Sequence, residues 1–435
     1  MRQQKDPVAA RYETGQRLRQ FELLWETATP EQKRQVLPLV NQAVMGFFAG
    51  GPAASAKPLD LASAQLFRSS ESFRPHPWVA SLAVTPSVRL LDSGAKFVTL
   101  TLASLYETSE KAPEAVTFTV GPTGVVSIRS SSVVVQSLKA LPQTLTYPLD
   151  NYRGGEGEPS LSVEVDAGAD PRRSIGSRLL NLALVKDLGV RLAALESSKE
   201  PSVVHLRGTL KKLAAGEALE TDFPGLKLLR DAEAAAKSAP LWGKKRPGQF
   251  WLTLAKAPVR LLAPKAVASG KPLPLVIALH GAGGSENMFF DTYGAGKLVR
   301  LCEERGWLLL TLRNGAGLGQ LPELLAELGT LYPYDPKRVF LTGHSMGAAM
   351  AVQAAQANPK LFAAVAVLGG GGAVRSDPGT LPPFLVGAGE ADFGKPMAQS
   401  LAKALKIECK VYPHCEHLTV VQDALGDVIA FFGKH

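Results

Sequence analysis

Cysteine is scarce in this chain: Cys302, Cys409 and Cys415 are the only three in 435 residues, which excludes a disulfide framework. Cys409 and Cys415 stand at the two ends of one short extended run, too far apart to bridge. Long apolar runs are missing as well, and none approaches the roughly 20 residues of a membrane-spanning helix. The opening Met-Arg-Gln-Gln-Lys-Asp-Pro has no apolar stretch of the kind a secretory signal needs, so no signal peptide is read in this chain. Export stays open for a form from which a signal has been removed. Charge of one sign does not dominate: 48 basic and 39 acidic residues leave a formal charge of +9, and the basic residues are scattered. No nucleic-acid motif accompanies them, so the excess reads as a solvated surface and not as a nucleic-acid partner.

Apolar content is what the chain has in quantity. Hydrophobic residues are 46% of it and the mean hydropathy is +0.04, enough for large cores and for two or three domains. The pattern divides it into a helical segment (1–67), a β-rich α+β module (68–240) and an α/β region (241–435). Residues 8–27 and 31–48 carry apolar positions at helical spacing, separated by Thr29-Pro-Glu-Gln32, a capping box with proline at N1. Residues 46–57 read as a Gly/Ala/Ser/Pro-rich linker before a short helix at 59–67. From Trp78 the period changes. Strands are expected at 87–91, 97–102, 115–120, 125–129, 132–135 and 161–165. A long helix is expected after Asp170-Pro171, running to about Leu195, with further helices at 206–214 and 226–236. No catalytic constellation is visible in these 240 residues.

Beyond Lys244-Lys-Arg-Pro-Gly248 strand–helix alternation begins. Paired antiparallel strands at 250–254 and 259–262 precede apolar strands at 273–279, 307–312, 339–341, 362–368, 384–386 and 407–412. Helices are expected around Leu298–Cys302, at 320–329, after Gly347 and at 418–432. Continuous apolar strands separated by helices imply a mostly parallel sheet covered on both faces. One of these strands runs into Gly343-His-Ser-Met-Gly347 and then an alanine-rich helix. That is the strand–turn–helix setting in which G-x-S-x-G presents a nucleophile, with glycines where the turn leaves no room for a Cβ.

The stretches Pro274-Leu-Val-Ile-Ala-Leu-His-Gly-Ala-Gly-Gly284 and Tyr334-Asp-Pro-Lys-Arg-Val-Phe-Leu-Thr-Gly-His-Ser-Met-Gly347 together resemble the α/β-hydrolase superfamily. The likeness is to its esterase and polyhydroxyalkanoate-depolymerase-like branch, and it covers about the last 190 residues. The resemblance implies Ser345 as nucleophile and the backbone N–H groups of Ala282 and Met346 as an oxyanion hole. It implies an acid in the loop after strand 384–386, where Asp392 fits best and Glu390 competes. It implies a base before the last helix, where His417 fits best and His414 is the runner-up. His280 reads as structural. The cluster His414-Cys-Glu-His417 lacks a second ligand group for a metal, and such a triad needs neither metal nor organic cofactor. The expected partner is a small-molecule or polymeric ester. Two other readings stay open: a serine peptidase joining a β domain to a hydrolase domain, which usually has a much larger β domain, and a non-catalytic binding protein on a hydrolase fold. The loops after Leu368 and Arg313 are short, leaving little room for a large lid domain.

Overall fold

The apolar runs of the C-terminal region become the strands of one sheet in the computed structural model, which describes residues 7–67, 77–108, 116–122, 131–135, 141–152, 155–166, 178–217 and 219–435. Two compact units form. One comprises Met1–Leu24, Gln42–Lys199 and Leu206–Ala236; the other comprises Trp25–Asn41, Glu200–His205 and Lys237–His435.

In the second unit the strands are β1 (Gly248–Leu254), β2 (Ala257–Ala263), β3 (Leu273–Leu279), β4 (Leu308–Leu312), β5 (Tyr334–His344), β6 (Ala364–Leu368), β7 (Phe384–Gly389) and β8 (Cys409–Tyr412). They form one eight-stranded sheet in the order β1-β2-β4-β3-β5-β6-β7-β8. β1 pairs antiparallel with β2, and β2 with β4. From β4 onward every pairing is parallel. The helices are α1 (Lys297–Arg305), α2 (Leu321–Leu331), α3 (Met346–Ala357), α4 (Lys395–Leu405) and α5 (Thr419–Phe432). α3 packs on β5 and β6, α4 on β7 and β8, and α5 on β6, β7 and α1. The central strands are apolar at successive positions because they are buried at successive positions: Leu275, Val276, Ile277, Leu309, Leu310, Phe340, Leu341, Val365 and Val367 are all fully covered. Each such side chain contributes about 1.5–3 kcal/mol. This is the mixed sheet with packed helices that the α/β-hydrolase resemblance implies. The capping box holds too: Thr29 N–H donates to Gln32 Oε1 (2.7 Å) and Gln32 N–H to Thr29 Oγ1 (3.3 Å).

The first unit holds a three-stranded antiparallel sheet (Leu82–Pro86, Phe97–Ser104, Gln143–Pro148) and a four-stranded one (Ser131–Val135, Val116–Pro122, Ser160–Asp166, Arg178–Asn181). Leu90–Asp92 pairs in parallel with Ala183–Val185. Trp78, Leu100, Val120, Tyr147, Leu161, Leu180 and Leu182 share one core. Among the described residues, no helix is long and apolar enough to cross a membrane.

Three expectations for this region are corrected. The long helix to Leu195 is instead two strands, Arg178–Asn181 and Ala183–Val185, with a helix only at Leu188–Ala194. Arg178–Asn181 pairs with Ser160–Asp166 and Ala183–Val185 with Leu90–Asp92, and every residue from Leu182 to Val185 is buried, so pairing with distant strands wins over the helical spacing. The linker at 46–57 is mostly helix: one helix runs to Gly50 and the next starts at Pro52, with Gly51 between them at φ 78°. Its alanines favour helix and its proline suits a first turn. The strand at 87–91 breaks around a bend, with Leu82–Pro86 before it and Leu90–Asp92 after. The strand expected at 125–129 lies outside the described residues, as does residue 170 with its proline. The strand Gln143–Pro148 and helix α4 are additions the sequence pattern did not suggest.

Candidate active site

β5 ends at His344 and α3 begins at Met346, so a single residue, Ser345, makes the turn. Its backbone sits at φ 57°, ψ −116°, a conformation that costs on the order of 1–3 kcal/mol for a residue with a side chain. The flanking glycines make it attainable. A Cβ on Gly343 would lie 2.1 Å from the Gly347 carbonyl oxygen, and one on Gly347 would lie 2.1 Å from the Leu279 carbonyl oxygen. The turn is held by Ser345 N–H donating to Leu368 O (2.9 Å) and Ala348 N–H donating to Ser345 O (3.0 Å).

His417 lies in the loop between β8 and α5 and is 4% exposed. Its Nε2 is 2.9 Å from Ser345 Oγ and its Nδ1 is 2.7 Å from Asp392 Oδ1. Asp392, in the loop after β7, is 3% exposed, and its Oδ1 also accepts the Gly394 N–H at 2.6 Å. Burial pushes this carboxyl up, but the hydrogen bond and charge of His417 and the Gly394 N–H outweigh it, and the group ends below its ordinary range. The structure thus brings Ser345, His417 and Asp392 into one chain of hydrogen bonds. Glu390 and His414 face each other instead: the His414 N–H donates to Glu390 Oε2 at 3.0 Å, its Nδ1 is 3.7 Å from the same oxygen, and Glu390 is largely exposed. The neighbours of His417 are engaged apart from one another. Cys415 donates its thiol to Asp423, and Glu416 accepts the N–H groups of Leu418 and Thr419 at the start of α5.

Ala282 is exposed, in the loop after β3, and Met346 opens α3. Among the described residues neither backbone N–H donates to a protein acceptor. The preceding peptide group is pinned: Gly281 O accepts from His280 Nδ1 (2.7 Å) and from Gly284 N–H (3.2 Å). The Ala282 N–H belongs to the same trans peptide and therefore points the opposite way. His280 is buried, and its Nε2 accepts the Asn314 N–H at 2.8 Å, which fixes the proton on Nδ1.

Four features here had not been singled out in the sequence. His344 is fully enclosed between Tyr293 and His417, and burial pushes its pKa down to about 3. Tyr293 follows a π-helical stretch, Met288–Thr292, that no motif announces. The Phe393 ring lies over the His417 imidazole, centroids 3.9 Å apart, and is 47% exposed. The run Gly369–Gly372 threads between elbow and acid loop: a Cβ on Gly369 would lie 2.8 Å from Asp392 Oδ2, and one on Gly370 would lie 2.7 Å from Ser345 O. Only the glycine run left a legible signal, as four consecutive glycines.

Neither a protein-family model nor a curated protein matches this chain. Among solved structures, its C-terminal part is similar to the feruloyl esterase module from Clostridium thermocellum, as an S954A mutant complexed with sinapinate. That match has 13% identity and a TM-score of 0.38, covering 44% of this chain and 89% of that one. It is also similar to the S-formylglutathione hydrolase FrmB from Staphylococcus aureus (14% identity, TM-score 0.35, 42% and 96% covered). A third match is an S-formylglutathione hydrolase from Agrobacterium tumefaciens (17% identity, TM-score 0.35, 43% and 93% covered).

Proposed function

We propose that the C-terminal unit is a serine hydrolase that cleaves carboxylic esters through an acyl-enzyme on Ser345. The observation that carries this reading is the chain Asp392–His417–Ser345, at 2.7 and 2.9 Å, meeting a serine held in a left-handed elbow. A serine hydroxyl is a weak nucleophile until a base takes its proton. As Ser345 Oγ forms its bond to the ester carbon, its proton passes to His417 Nε2, and the carbonyl π electrons move onto oxygen. The Ala282 and Met346 N–H groups are free to meet that charge, and Asp392 stabilises the imidazolium. Collapse breaks the bond to the alcohol oxygen, which leaves with the proton from His417. Water, activated by the same imidazole, then releases the acid and restores Ser345. The half-exposed Phe393 beside the base offers an apolar surface to a substrate. A panel of chromogenic esters of increasing acyl length, run beside peptide anilides and beside Ser345→Ala, tests the reading. Ester turnover that disappears in Ser345→Ala is expected. Turnover of the peptides alone would contradict the ester assignment, and turnover unaffected by the substitution would contradict the whole reading.

A further inference from the structure

The loop bearing Ala282, the elbow bearing Ser345 and the loop bearing His417 are joined by one buried line of hydrogen bonds outside the triad. Gly281 N–H lies 3.1 Å from Tyr293 Oη, Tyr293 Oη lies 2.7 Å from His344 Nδ1, and His344 Nε2 lies 2.7 Å from the backbone carbonyl of His417. Its polarity is dictated at both ends. The His417 carbonyl can only accept, so His344 Nε2 carries the proton. A neutral imidazole then has a bare Nδ1, so Tyr293 must donate its hydroxyl proton there. The Gly281 N–H can only donate, and the tyrosine oxygen accepts it. Every group in the line has one role and fills it. Tyr293 is 1% exposed and His344 3%, and the depressed basicity of His344 keeps the line in this single state well below neutral pH.

The packing is as tight as the bonding. A Cβ on Gly281 would meet His344 Nδ1 at 3.0 Å, Ser345 Cβ at 3.2 Å and Tyr293 Oη at 3.3 Å, so the Gly281 backbone rests directly on the elbow. The two peptide groups flanking Gly281 are therefore fixed from opposite sides, its N–H by Tyr293 and its carbonyl by His280. The Tyr293 ring meets His344 edge to face at 5.2 Å, and Phe289 backs Tyr293 at 4.7 Å.

We propose that Tyr293 and His344 are positioning residues that hold the oxyanion loop and the backbone of the general base in one register about Ser345. This rests on the ester-hydrolase reading above. Neither side chain touches substrate. Their effect is to keep the Ala282 N–H and His417 Nε2 aligned on the same tetrahedral intermediate, where small displacements are costly. The line also explains why a histidine stands immediately before the nucleophile: at that position it alone among neutral side chains offers a donor and an acceptor on opposite edges of a flat ring.

Steady-state kinetics of the full chain on a chromogenic ester test this with Tyr293→Phe and, as a matched control, Tyr332→Phe. Tyr332 is equally buried and its hydroxyl also bridges backbone groups, Gly243 N–H and Arg246 O, which lie outside the loops that carry Ala282, Asp392 and His417. Tyr293→Phe is expected to lower kcat by about 10- to 100-fold with KM changed by less than about threefold, the signature of an interaction realised in the transition state. Tyr332→Phe should lower the melting temperature and leave kcat within about twofold. Equal kcat for the two variants would overturn the proposal. Should Tyr293→Phe not fold, the comparison moves to His344→Gln, which keeps a donor and an acceptor, against His344→Leu, which keeps neither. The glutamine variant is expected to retain at least about tenfold more kcat, and equality would overturn the proposal. Wild-type protein without ester turnover would instead sink the underlying reading.

Discussion

At the scale of single residues, two pairs of neighbours differ in what they touch and not in what they are. Asp392 and Glu390 are both carboxylates of one loop, and His414 and His417 are both imidazoles of another. Only Asp392 and His417 are buried and linked to Ser345 Oγ. His417→Ala is expected to lower kcat by about 10⁴-fold or more, and Asp392→Asn by about 10²–10⁴-fold, because the base loses its proton acceptor role or its fixed tautomer. His414→Ala and Glu390→Gln alter side chains outside the hydrogen bonds to Ser345, and their 3.0 Å contact comes from the His414 backbone N–H, so each should cost less than about threefold. Kinetics on variants with unchanged circular dichroism decide it. A crippling effect from His414 or Glu390 would reverse that half of the assignment.

Among elements, the elbow shows how far the sequence is readable. Gly343-His-Ser-Met-Gly347 announced its turn because short-range sterics leave only glycine at both flanks. The apolar strands announced themselves because a sheet buried on successive positions needs continuous apolar runs. Ser345 was legible from its strand–turn–helix setting, whereas Asp392 and His417 were legible only through the order of residues that the hydrolase resemblance implies. Tyr293 and His344 were not read in this role, since their partners lie 51 and 73 positions apart in sequence and no local rule joins them. The leucines at 179, 182 and 184 misled for a related reason, because pairing with distant strands overrode their helical spacing. Gly343→Ala is expected to destabilise by roughly 3 kcal/mol or more, lowering the melting temperature by roughly 6–12 °C, since its Cβ has only backbone to displace. Gly426→Ala, in α5 with open space around it, should instead stabilise by about 0.4–1 kcal/mol. Calorimetry on both variants checks the pair, and an unaffected Gly343→Ala would mean the elbow is not as drawn.

For the whole molecule, buried titratable groups tie stability to pH. His344 has its pKa pushed from 6.5 to about 3 by burial, and Asp392 sits below its ordinary value. Between the unfolded and folded values the unfolded chain binds more protons, so both contributions are present near neutrality and fade as pH falls, His344's from about 6.5 toward about 3. Glu416, pushed up by burial, works in the opposite sense above its own ordinary value. Comparison with His344→Gln separates the His344 contribution from the opposing one of Glu416. The urea midpoint of the C-terminal unit should therefore fall more steeply from pH 7 to pH 4, or rise less, in the wild type than in His344→Gln. Tryptophan fluorescence reports on this unit, which holds Trp25, Trp242, Trp251 and Trp307 of the five tryptophans. The same pH dependence of the midpoint in the wild type and in His344→Gln would contradict the buried neutral state of His344.

Catalysis by Ser345 is the claim on which the rest depends, and covalent capture reads it directly. The protein is treated with a fluorophosphonate ester, which phosphonylates an activated serine as fluoride leaves, and the adduct is located by peptide mass mapping. One adduct per chain is expected, on the peptide containing Ser345, formed at least about 10²-fold more slowly in His417→Ala and absent in Ser345→Ala. An adduct on another residue, or none in a folded and otherwise intact protein, would contradict the account.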